Sequence, residues 1–125
     1  MFGIKDFEAI CVSEGITFVE YKDHPDKGEL AVHSDRSWIV LRAGLEPGER
    51  RWIAFHELGH YFLHVASHKF SRGTRGKMDR EANFFATIAL LPTNLLKADA
   101  ESYSDGYYPK EFVKIRFEIF REFGI

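Results

Sequence analysis

The stretch His56-Glu57-Leu58-Gly59-His60 constrains this chain more than any other. Its flanks, Trp52-Ile53-Ala54-Phe55 and Tyr61-Phe62-Leu63, are apolar, so the segment reads as a largely buried helix. Two histidines and a glutamate in such a helix are expensive to bury unless they are paired or coordinated. Residues four apart lie on one helix face, about one turn up. The fold must therefore bring that face to a partner that satisfies three polar side chains. The pattern H-E-x-x-H meets this demand by holding one zinc ion between two imidazoles at about 2.0–2.1 Å. Glu57, next to the first histidine, is then within reach of a water on the metal, which loses its proton more easily there. Glu57 is expected to take that proton as general base and hand it to a leaving amine.

Such a centre needs a third protein ligand. His64 extends the series 56, 60, 64, but those positions span about 12 Å at 1.5 Å per residue, too far for one ion. His64 is expected to be a cleft or core histidine. Leu63 and Ala66 also fail the longer form H-E-x-x-H-x-x-G-x-x-H. The better source is Asp79-Arg80-Glu81-Ala82-Asn83-Phe84-Phe85-Ala86. Asp79 shares a helix face with Ala82, Asn83 and Ala86, small residues that let two helices approach closely. Asn83, one turn on, is placed to hydrogen-bond a ligand from behind. Glu81 lies roughly opposite, among Phe84, Phe85 and Ile88. Asp79 is the preferred third ligand and Glu81 the alternative.

Around these two helices the chain reads as follows. Ile4, Phe7, Ile10 and Cys11 make one helical stripe over Ile4 to Glu14, with Gly15 as a stop. Ile16 to Tyr21 is β-branched and aromatic, as strands are. His24 to Gly28 is turn chemistry. Leu30-Ala31-Val32 and Trp38-Ile39-Val40-Leu41 flank Ser34 to Ser37, a hairpin turn. Three strands, mostly antiparallel, are expected. Pro47 and Glu49 open the metal helix, expected from about Gly48 to about Val65. Residues His68 to Lys77 read as a loop, and a second long helix runs from about Lys77 to Leu91, before Pro92. Asp99 to Tyr108 reads as a loop and Lys110 to Phe123 as a helix.

At 125 residues and 45% hydrophobic content, the chain has the material for one packed core, and we read residues 1–125 as a single α+β domain. Its 17 Lys+Arg against 19 Asp+Glu argue against a nucleic-acid coat, which needs excess positive charge. No apolar run approaches a membrane span. The opening residues lack the pattern of a secretion signal. With Cys11 as the single cysteine, no internal disulfide is possible, so the cytoplasm is the expected compartment. Cys11 itself is expected to be a buried small hydrophobe.

Three blocks in order, Arg51 through His64, Asp79 through Ala86, and Leu90-Leu91-Pro92, resemble the ImmA/IrrE metallopeptidase family. The match is good over roughly residues 50–92, and Phe112 to Phe117 looks like the family's C-terminal helix. The resemblance implies a zincin-like core, one zinc ion and cytoplasmic endopeptidase activity on helix-turn-helix transcriptional repressors. The family's third ligand, Glu in the pattern E-x-x-A-N, falls on Asp79, which is shorter by one methylene. His56, His60 and Asp79 are thus the expected metal ligands and Glu57 the catalytic base, with neither nucleic acid nor membrane as partner.

The rival is a regulatory binding protein that keeps the zincin-like fold without cutting, as a sensor or a toxin–antitoxin component. A structural zinc is normally closed by four protein ligands. Only three are convincing here, which favours catalysis. The basic residues His68, Lys69, Arg72, Arg75, Lys77 and Arg80 read as a solvated loop or a substrate-binding rim. Tyr103, Tyr107 and Tyr108 read as packing residues, or as one oxyanion donor among them.

Overall fold

The computed structural model describes residues 3–66 and 75–90. The expected C-terminal helix, the loop tyrosines, and His68, Lys69 and Arg72 lie outside them. Helix α1 spans Ile4–Glu14. It starts where the Gly3 N–H donates to the Asp6 carboxylate at 2.7 Å. It stops at Gly15, whose φ of 74° lets its N–H turn back to the Cys11 and Val12 carbonyls. Strands β1 (Ile16–Tyr21), β2 (Gly28–His33) and β3 (Arg36–Arg42) follow. The turn between β2 and β3 is tighter than the sequence suggested, with Ser34 at φ 55°.

The sheet has the order β1-β3-β2 and is mixed. The hairpin pairing is antiparallel as expected, with Gly28 opposite Leu41 and His33 opposite Arg36. The other pairing is parallel, from Ile16 opposite Ser37 to Tyr21 opposite Arg42. The cause is the path of residues 22–27, which carries the chain past the slot that β3 later fills. Arg42 holds that path, donating from Nε to the His24 carbonyl at 2.9 Å and from Nη2 to the Pro25 carbonyl at 2.6 Å. Central in the sheet, β3 buries Ile39, Val40 and Leu41 in succession, so both its faces are covered.

Helix α2 spans Pro47–His60. Proline suits its first turn because the N–H it lacks there would have no partner within the helix. The winding then widens to a π-helical turn over Tyr61–Ala66. Helix α3 spans Arg75–Leu90, two residues earlier than expected at its start. Phe7, Ile39, Leu41, Phe55, Leu58 and Leu90 are almost fully buried, joining α1, the sheet, α2 and α3 in one core. The architecture is α+β, a small sheet packed against helices. Among the described residues no helix is long and apolar enough to cross a membrane.

Candidate metal centre

The i, i+4 spacing on α2 brings the Nε2 atoms of His56 and His60 to 3.2 Å from each other. From α3, Asp79 places Oδ1 at 3.0 Å from His60 Nε2 and 3.7 Å from His56 Nε2. Ligand atoms of these three residues all lie within 4.8 Å of one another. The helices come this close because Gly59 faces Ala82, where side-chain bulk is least.

The surroundings decide what these atoms offer. Asn83 Oδ1 lies 2.7 Å from His56 Nδ1. An amide oxygen accepts, so His56 carries its proton on Nδ1 and presents a bare lone pair at Nε2. That lone pair faces a second imidazole nitrogen and a carboxylate oxygen. Converging acceptors repel unless a proton or a metal cation sits among them, and two imidazoles with a carboxylate are a ligand set of first-row metals. Burial holds both His56 and His60 below the ordinary imidazole value. The neutral form this favours is the one that ligates.

Glu57 points beside this group and is 7% exposed. Burial is the main reason its carboxyl is pushed up to about 7. Asp79 and Glu29 add to the rise, and a hydrogen bond from the Leu30 backbone opposes it. A carboxyl near neutrality is matched to moving a proton at neutral pH. The edge strand β2 thus touches Glu57 directly.

A cavity of about 710 Å³ opens onto these residues. Its walls are β2 (Gly28, Glu29, Leu30 and Val32), α2 and its π-helical extension, and the start of α3 (Arg75, Met78 and Asp79). Of the described residues of the basic stretch, Arg75 reaches this wall. Lys77 and Arg80 line a separate shallow surface with Leu63 and Phe84. The thiol of Cys11 is buried and pushed up to about 11, mainly by that burial, so it is no nucleophile at neutral pH.

Two placements went unread in the sequence. Glu81 meets His64, with Oε1 at 3.2 Å from its Nε2, rather than joining the histidine pair on α2. His24, Asp26 and Glu29 form a second group within 4.8 Å, with both acids exposed. Its signal is the H-x-D-x-x-E spacing, which passes for ordinary turn residues.

No curated protein and no solved structure matches the chain significantly. The family model described as the IrrE N-terminal-like domain, of peptidase family M78, matches residues 3–124. Spanning nearly the whole chain and enclosing the His56–His60–Asp79 group, that match shows that the protein belongs to this metallopeptidase family.

Proposed function

We propose that the protein is a zinc-dependent endopeptidase of the H-E-x-x-H type, acting in the cytoplasm on a protein substrate, a helix-turn-helix transcriptional repressor. The observation that carries the reading is the buried Glu57 carboxyl beside three converging ligand atoms at the floor of an open cavity. His56, His60 and Asp79 hold the metal. When bound, zinc acidifies a water and polarises the scissile carbonyl. Glu57 takes the proton of the attacking water and delivers it to the departing amine nitrogen as the C–N bond breaks. Asn83 keeps His56 in the ligating tautomer.

The outer edge of β2 has no strand partner among the described residues and lies along the cavity. An extended substrate segment can pair with that edge through its main chain, which sets the scissile carbonyl beside Glu57. The repressor as substrate rests on the family resemblance. Three protein ligands rather than four support catalysis over a closed structural site.

The test is incubation of the zinc-loaded protein with a candidate repressor. Discrete fragments are expected, suppressed about 10²–10⁴-fold in Glu57→Gln. Metal analysis should find about one zinc per chain, retained in Glu57→Gln and lost in His60→Ala. Repressor binding without cleavage, unaffected by Glu57→Gln, would establish the non-catalytic rival instead.

A further inference from the structure

The two histidines of α2 have different neighbours at Nδ1. His56 has Asn83, whereas His60 has a chain of two residues. His60 Nδ1 lies 3.1 Å from His64 Nδ1. His64 Nε2 lies 3.2 Å from Glu81 Oε1. The His64 side chain is only 3% exposed. It is carried by the π-helical turn, which places its ring 5.2 Å from that of His60 and tilted by 49° to it. Such turns occur frequently at functional sites. Neither His64 nor Glu81 has a part in the mechanism above.

We propose that Glu81 and His64 are positioning residues that fix the proton of His60 on Nδ1 and so keep its Nε2 lone pair open to the metal. The inference rests on the metallopeptidase reading.

Donor and acceptor bookkeeping carries the argument. A carboxylate only accepts, so the proton between Glu81 and His64 belongs to His64 Nε2. A ring that carries its one proton on Nε2 presents a lone pair at Nδ1. His60 must donate from Nδ1 to meet it, which leaves His60 Nε2 bare. That atom stands 3.0 Å from Asp79 Oδ1 and 3.2 Å from His56 Nε2, where a ligand is needed. Without the chain, His60 is free to carry its proton on Nε2. Asp79 would then accept that proton, and two ligand atoms would be occupied by each other. The chain therefore removes a competitor of the metal. Helix α3 supplies a carboxylate at each end: Asp79 at Nε2 of His60, and Glu81 behind His64.

The test uses the full chain with ¹⁵N-labelled histidine. Long-range proton–nitrogen spectra of the metal-free protein report the His60 tautomer, and competition with a chelator reports zinc affinity. The parent should show the proton on Nδ1. His64→Leu should move it to Nε2 and weaken zinc binding about 10–100-fold. His64→Gln, whose amide both accepts and donates, should stay within a few-fold of the parent. Should His64→Leu fail to fold by circular dichroism, Glu81→Leu applies the same test from the more exposed end. A parent with the proton on Nε2 overturns the proposal, as does a folded Leu variant that binds zinc like the parent. A parent that binds zinc no better than His60→Ala sinks the metallopeptidase reading instead, and the tautomer measurement still decides the role of His64.

Discussion

Gly59 on α2 lies so close to Ala82 on α3 that a Cβ on Gly59 would come within 2.9 Å of the Ala82 carbonyl oxygen. It would also meet the Ala82 Cα at 3.0 Å and the Phe85 Cβ at 3.1 Å, so backbone rather than a flexible side chain would have to yield. The contact lies one residue before His60 and one turn after Asp79. It brings the helices close enough for the short aspartate to reach the histidines. Gly59→Ala should destabilise the protein by about 1–3 kcal/mol in urea unfolding, the usual range for overpacking. It should also weaken zinc binding in the fraction that folds, because the helices must separate. Unchanged stability and unchanged affinity together would show that the approach is not needed.

Asn83 contributes through one atom. Its Oδ1 fixes the His56 tautomer at 2.7 Å. Asn83→Ala should lower zinc affinity about 10–100-fold with little effect on the fold. Asn83→Asp, which also accepts, should restore most of it. Chelator competition on both variants provides the measurement, and equal affinity in the Ala variant and the parent would refute the role.

The metal-free protein should show a pH signature of Glu57. Its carboxyl is raised from the ordinary 4.5 to about 7. The native state therefore binds more protons than the unfolded chain between those values. Its stabilising contribution is full below pH 4.5 and is lost as pH rises through 7. The size is roughly 3 kcal/mol at 1.36 kcal/mol per unit. Glu57→Gln should thus be more stable than the parent at pH 8 and comparable near pH 4. His56 and His60 act in the opposite sense. Both sit below the ordinary 6.5, so their contribution is present above that pH and lost as pH falls through the folded values. They are common to both proteins and largely cancel in the comparison. Urea unfolding with chelator from pH 4 to 8 checks this; a pH-independent difference would contradict it.

In the hydrophobic core, Phe7 should matter most for stability. It is fully buried, with its ring edge-to-face against Phe18 at 4.9 Å and against Phe55 at 6.1 Å. Phe7→Ala should cost about 3–5 kcal/mol. By contrast, Glu20→Ala breaks the two hydrogen bonds from Arg50 at a partly exposed site and should cost no more than about 1 kcal/mol. Thermal unfolding of both variants orders them, and a reversed order would misplace the core.

By itself the sequence determined what lies within single elements. The spacing of His56 and His60 put both rings on one face, since 3.6 residues make a turn whatever packs outside. Gly15 and Pro47 marked the end of one helix and the start of another through their own backbone chemistry. Asn83 followed Asp79 by one turn for the same local reason. Tertiary structure decided everything between elements. Nothing local in Ile16 to Tyr21 says that its neighbour will be β3 in parallel, because the partner arrives only after the chain has crossed by way of β2. Asp79 and Glu81 are about 200° apart on α3, so either could turn to α2. The contact of Gly59 with Ala82 set the rotation that brings Asp79 to His60 and leaves Glu81 to His64. The raised carboxyl of Glu57 likewise needed the sheet edge and both helices in place, because desolvation is a property of everything packed around a group, not of its place in the chain.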